Sequence, residues 1–406
     1  MIKVVRFISI LVGVLFIISG FVKAVDPLGF SYKLDEYFEV FAEDTEKIGF
    51  ISSFFLWLRN ISVYLSMFFC VLEMVLGVML VFGISMEITS WLLLLLIVFF
   101  TWLTGYSAIT GKVTDCGCFG DALHLTPQQS FNKDVILLLL IAIIFAFRHK
   151  LQPWFKNAAS VLIMLVAVVG FSYLTFYCYQ HLPIIDFRAY KVGSDIRQQM
   201  TLPPGKSPDQ YTTILTYKDK NTGQSGDYVM ISNSEDKADW FKEKNLQPLP
   251  WEDTLWMKNH EFVESKSQLV IKGDKPKITD FHVWDNDNQD ATALVLDETG
   301  YHFWVIAYDM EEANKEAFSK INALASTAEK NNIQFVGLTA TPYELLDPLR
   351  HEVNAAFPFY YADGTVLKTI IRSNPGLVLL KGSTVLAQWH YNDIPTYDEI
   401  SGKYFR

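Results

Sequence analysis

Apolar residues run almost unbroken along the first 180 positions, and after His181 they alternate with charged and turn residues. Residues 4–25, 62–82, 88–109 and 158–179 are each apolar over the roughly 20 residues that a helix needs to cross a hydrocarbon layer of about 30 Å. A fifth run, 135–147, is short. Thr126-Pro127 offers it an earlier start, a capping hydroxyl followed by proline at the first helical position, so it too is predicted to span. The segment between the first two spans is polar and is expected to be a loop. The pattern therefore predicts a membrane bundle of about five transmembrane helices over residues 1–180.

Past that boundary the period shortens. Residues 211–218 and 227–232 are predicted strands joined as a hairpin through the turn residues 219–226. From about residue 276 strands and helices alternate: strands 278–284 and 301–308, helix 311–331, strand 333–339, helix 343–355 and a short helix 365–371. Two strands, 376–380 and 385–389, and a closing helix, 396–404, complete the order. It indicates an α/β domain with a mixed sheet over 275–406, preceded by a linker and β-rich subdomain over 181–274.

Composition agrees: half of the 406 residues are hydrophobic, more than is usual for soluble chains. The net charge of −10 and the lack of a basic stretch exclude a nucleic-acid partner, which would require clustered Lys and Arg. Charge also orients the bundle. Lys3, Arg6, Arg148, His149, Lys150 and Lys156 fall at one end of the predicted spans, whereas Asp35, Glu36, Glu39, Glu43, Asp44 and Glu46 fall at the other. The basic end is expected in the cytoplasm, which places the C-terminal domain outside it, in the periplasm if the bilayer is a bacterial inner membrane.

The four cysteines are Cys70, Cys116, Cys118 and Cys178. Cys116 and Cys118, with Gly117 between them, lie in the exported loop after the third span, on the oxidising side of the membrane. Two extended residues span about 7 Å, and a disulfide needs Cα atoms about 4.4–6.8 Å apart. The loop must bend, and Gly117 permits it. So small a ring is strained, and strained disulfides are labile and oxidising. Redox exchange is the leading reading. A staple to Cys178 is the second, and a metal site the weakest, because His124 is the only nearby imidazole. Cys178, at the exported end of the last span, is a candidate resolving thiol. Glu73 is the one carboxylate deep within a span, where acids are costly and often functional, and Lys23 is its candidate partner.

These residues resemble a family. Ser19-Gly20-Phe21-Val22-Lys23, then Asp26-Pro27, Glu73 and Cys116-Gly117-Cys118-Phe119-Gly120 together resemble the MauE/DoxX family of small bacterial membrane proteins over residues 4–150. That resemblance implies a four-helix membrane bundle associated with the disulfides of exported proteins. A membrane quinone is the conceivable electron acceptor, and exported protein thiols are the implied partners besides the lipid bilayer. The last 130 residues resemble the thioredoxin fold, with Pro375 at the place of its cis-proline. Where such enzymes carry Cys-x-x-Cys, this chain has Asp309-Met310-Glu311-Glu312-Ala313-Asn314, so that domain is expected to be redox-silent and to bind a client peptide. A non-catalytic scaffold for envelope assembly is the competing expectation.

Overall fold

The computed structural model describes every residue except 114–119, 124, 156, 230–243, 245, 297–298 and 406. Residues 1–194 and 281–406 form one compact unit, and 195–280 form a second.

Five helices are long and apolar enough to cross a membrane. We number them with two shorter helices in chain order: α1 (Ile2–Val25), α2 (Pro27–Asp44), α3 (Gly49–Asn60), α4 (Ser62–Phe82), α5 (Met86–Thr110), α6 (Pro127–Ala146) and α7 (Asn157–Gln180). The start of α6 is as expected, because Thr126 and Gln129 form a reciprocal capping box. Helix α7 is apolar around its whole circumference, and Val161, Leu162, Leu165, Val166 and Val169 are exposed. A stripe of that kind suits lipid and would be a liability in water.

Helices α1 and α4 cross at glycine. A Cβ on Gly77 would come within 2.7 Å of the Gly13 carbonyl oxygen, and one on Gly13 within 2.8 Å of that of Gly77. Small residues let backbones approach closely where lipid supplies no hydrophobic drive between helices. The crossing brings Lys23 of α1 to the level of Glu73 of α4.

The expected loop between the first two spans is instead helical. Phe30, Leu34, Tyr37, Phe38 and Phe41 recur at helical spacing and bury one face of α2, while Asp35, Glu36 and Glu39 lie off that face. Hydropathy over a spanning window averages such an amphipathic helix to a polar value. Helix α3 buries no residue, and Phe50, Phe54, Leu56 and Trp57 are exposed, the composition of a helix lying in a membrane interface.

In the same unit a six-stranded sheet is built from β5 (Val283–Trp284), β6 (Tyr301–Ile306), β7 (Gln334–Thr339), β8 (Phe359–Ala362), β9 (Gly376–Lys381) and β10 (Thr384–His390), in the order β10-β9-β6-β7-β8-β5. Strands β6, β7 and β8 are parallel, and β9, β10 and β5 antiparallel to their neighbours. Phe303, Val305, Leu377 and Leu379 pack on Phe318, Ile321 and Leu324 of helix Phe318–Lys330. The burial of both sheet faces explains the near-continuous apolar runs of β6 and β9.

Several expected boundaries move. Strand 278–284 keeps only the two residues of β5. The helix expected from 311 starts with the 3₁₀ turn Lys315–Ala317, because the Asp309 carboxylate accepts the N–H of Glu311 and Glu312 and holds that stretch as a turn. The helix expected to end at 355 ends at Glu352, beyond which Asn354 takes a left-handed φ of 55°. Strand β8 was not anticipated.

The second unit holds a four-stranded sheet of β1 (Gln210–Asp219), β2 (Ser225–Val229), β3 (Gln247–Pro248) and β4 (His260–Ile271), in the order β3-β2-β1-β4. The hairpin of β1 and β2 is the expected one as far as Val229, and the rest of its second strand lies outside the described residues. Strand β4 went unanticipated because it is exposed almost throughout and shows no alternation of burial.

Candidate functional site

Two features meet at the end of the bundle where α1 finishes. The first is the buried pair. Lys23 and Glu73 form a salt bridge with side chains 3% and 5% exposed, and the Lys23 ammonium lies 5.2 Å from the Phe30 ring and 4.9 Å from that of Phe100. Desolvating two charges is costly and is tolerated only when they are closely paired. Cys70, one turn before Glu73 on α4, is a buried free thiol.

The second is an interlock between the bundle and the sheet domain. Asp26 caps α2 by accepting the Gly29 N–H at 2.9 Å, with Pro27 following at the first helical position. Its carboxylate also receives the guanidinium of Arg372, with Nε 2.9 Å from both oxygens. The same guanidinium donates from Nη2 to Asp121 at 3.0 Å and from Nη1 to the Lys368 carbonyl. Arg372 is 5% exposed. Burial disfavours its charge, but Asp26 and Asp121 outweigh it and raise the pKa above the ordinary arginine value.

Beside this lock Tyr308, just past the end of β6, meets Tyr32 of α2 with hydroxyls 3.2 Å apart, and the Lys368 ammonium covers both rings. Burial raises the Tyr308 pKa. The stretch 309–314 is tied to the chain before β9: Asn374 Nδ2 donates to the Asp309 carbonyl at 2.7 Å, and the Asn314 N–H to the Asn374 carbonyl at 3.0 Å. The Asn374–Pro375 peptide is cis. A crevice of about 600 Å³ runs through the lock, lined among others by Lys23, Asp26, Tyr32, Asp121, Lys368 and Arg372.

Cys116 and Cys118 lie outside the described residues. Their flanks are described. Val113, fully buried, packs with Ala24, Cys70 and Met74. On the return, Gly120–Ala122 forms a 3₁₀ turn whose Asp121 engages Arg372. Gly120 and Asp121, which follow the loop in sequence, thus lie beside Val22 of α1 and at the interlock. Cys178, near the end of α7, is a free thiol with 2% exposure. Among the described residues no group of three or more His, Cys, Asp or Glu is placed to hold a metal.

Residues 1–147 match the model of a family described as methylamine utilisation protein MauE. No curated protein and no solved structure matches the chain. The match with the MauE family takes in α1 to α6 and both flanks of the cysteine loop, and it stops one residue beyond α6. Lys23, Asp26, Glu73 and Asp121 thus belong to the MauE-like part, whereas Arg372 and Tyr308 do not.

Of the expected site residues, the fold brings Lys23 and Glu73 together and places Pro375 three residues after Arg372. Arg372, Asp26 and Tyr308 were not singled out as site residues. Asp26-Pro27 was legible only as part of the motif that resembles the family, and its role as the cap of α2 was not. A single arginine before a Ser-Asn-Pro turn carries no local signal, and its importance comes from partners 346 and 251 residues away.

Proposed function

We propose that this chain is a membrane-bound thiol–disulfide exchange component, with Cys116 and Cys118 as its reactive pair. In this reading the sheet domain is a thioredoxin-like module without thiols, exported together with the cysteine loop, that docks on the bundle and holds that loop for exported client proteins. One observation carries the reading: Arg372 spans the approach to Pro375 and Asp121, three residues beyond Cys118. Further support for the thioredoxin-like assignment comes from the parallel β6 and β7, the antiparallel β9 that follows the cis bond, and the β10 hairpin. The side of β6 that would bear thiols instead packs Tyr308 on Tyr32, which favours a positioning role over exchange within the domain. Methylamine utilisation is the description of the matched family, and no residue discussed above selects an amine.

The test is mass-shift alkylation of the cysteines in intact membranes, together with Cys116→Ser, Cys118→Ser and the double variant. Exchange predicts a redox-responsive pair accessible from the exported side, and a rise in reduced exported proteins in all three variants. Unchanged client oxidation, combined with harm from deleting residues 190–406, would replace this reading with that of a scaffold for envelope assembly.

A further inference from the structure

The longest strand of the second unit is also its barest. Strand β4 runs for 12 residues, and none of them is buried, although a usual strand has only about 5–6 residues. It closes one side of its sheet, and among the described residues it pairs with β1 alone. An edge strand leaves every second N–H and C=O without a partner, which makes it a template for another strand. Proteins commonly blunt such an edge with proline or by keeping it short. Strand β4 contains neither proline nor glycine, and Phe262, Val263, Leu269 and Ile271 along it are exposed. Its ladder with β1 skips Val263 and Val270, and between these two bulges Glu264 to Leu269 pair in unbroken steps with Thr216 to Tyr211.

The unbroken stretch carries a charge pattern that selects what the edge fits. Lys266 and Glu264 are two residues apart, hence on one face of the strand, and they pair at 2.6 Å with side chains 65% and 49% exposed. A lone lysine at this place would repel a copy of itself. The Glu-x-Lys spacing does the opposite in one register. When two copies of an edge pair antiparallel, the interface is isologous, the twofold axis stands perpendicular to the sheet, and residues of the same face lie opposite each other. An axis through Glu264 or Lys266 sets like charges together, which is destabilising. An axis through Ser267 sets Lys266 against Gln268 and Glu264 against Val270. An axis through Ser265 sets Glu264 of each copy opposite Lys266 of the other, with only the small serine side chains at the centre. Each charge then faces an opposite one both along its own strand and across the axis.

We propose that β4 pairs with β4 of a second copy of this chain, antiparallel about Ser265, and joins the two four-stranded sheets edge to edge. This pairing does not rest on the exchange reading above. The bulges at Val263 and Val270 keep the ladder short, so the contact is weak between units free in solution. Copies held by spanning helices in one bilayer meet at a raised effective concentration, and there a short ladder suffices. A strand of another protein can add to an edge in the same way, but the reciprocal match of Glu264 and Lys266 about one serine is what a copy of this strand supplies.

The experiment co-expresses two differently tagged full-length copies, purifies through one tag in mild detergent, and measures how much of the other copy is recovered. Glu264→Lys in both copies makes every facing pair cationic, and Lys266→Glu in both makes every facing pair anionic. Each should cut recovery by about tenfold, because two attractive cross-strand pairs become repulsive. One copy with Glu264→Lys and the other with Lys266→Glu should restore recovery, since each lysine again meets a glutamate across the axis. Within each strand the charge pair stays broken in that mixture, so a purely structural role of Glu264 and Lys266 predicts no rescue. Thermal melting confirms that both variants are folded. Wild-type recovery from either reversal, or a mixture without rescue, overturns the proposal. So does a wild type that recovers no second copy, and hydrogen-exchange protection of β4 by a different co-purified protein alone would assign the edge to that partner instead.

Discussion

Replacing Arg372 by methionine should loosen the sheet domain from the bundle. The guanidinium is almost fully buried and satisfies Asp26 and Asp121 at 2.9 and 3.0 Å. Removing one partner of a buried ion pair costs about 3–5 kcal/mol, because the other charge is stranded. Here the stranded carboxylates are 17% and 30% exposed, so water recovers part of that loss, and about 2–4 kcal/mol is the appropriate range. A change of this size lowers a melting temperature by about 5 °C or more. Differential scanning fluorimetry of the purified chain in detergent measures it. Arg372→Lys should fall between, since lysine keeps the charge and loses the planar fork. Asp26→Ser separates two roles, because serine can still cap α2 but cannot pair with Arg372. It should lose about as much as Arg372→Met, and the double variant little more. A melting temperature for Arg372→Met within about 1 °C of wild type, or strict additivity with Asp26→Ser, would refute the interlock.

Three further outcomes follow from the geometry. Lys23→Met and Glu73→Leu should each destabilise by about 3–5 kcal/mol, whereas the double variant recovers most of the loss; denaturant melts of the detergent-solubilised protein test this, and a double variant worse than either single one defeats it. Gly77→Leu should block assembly of α1 on α4, since even a Cβ meets the Gly13 carbonyl, and it would show as loss of folded protein on size-exclusion chromatography, against little change for Gly170→Ala on α7, where a Cβ meets nothing. Burial pushes His390 down to about 4, with Asp393 opposing and His181 reinforcing the shift. The folded state therefore favours the neutral ring, and this contribution to stability is full above about pH 6.5 and is lost as pH falls toward 4; His390→Gln should flatten the melting temperature over that window, and an unaltered slope would discount the residue.

What could be read from the chain alone divides by the range of the physics. Spanning helices announce themselves because every residue of α4 or α7 reports locally on lipid, and the start of α6 because Thr126, Pro127 and Gln129 form a self-contained cap. The order of strands and helices after residue 300 was legible for the same reason. Helix α2 was not, because its acidic residues dominate any average while the buried stripe from Phe30 to Phe41 appears only at helical period. Strand β8 was hidden by its four-residue length, and β4 by an exposure that leaves no alternation to detect. The Lys23–Glu73 pair could be guessed because a charge within a span demands a partner and few are available. Arg372 could not, since a lone arginine in a polar domain is ordinary until the fold delivers Asp26 and Asp121 to it.

That difference bears on how the two halves meet. Asp26 has a local reason to exist, as the cap of α2, and needs no C-terminal domain. Asp121 lies in the short 3₁₀ turn Gly120–Ala122, after the cysteine loop. Both carboxylates lie within the part that matches the MauE family, at the end of the bundle where that loop emerges. An appended domain that brings one buried cation to this point engages both without any change to the bundle. Its position then becomes coupled to the loop through a single guanidinium, because whatever displaces Asp121 also withdraws a partner from Arg372 and so bears on the docking at Asp26. The arrangement sets a domain without thiols against the residues that follow the cysteine segment, and it makes Arg372 the residue of that domain that engages both Asp26 and Asp121.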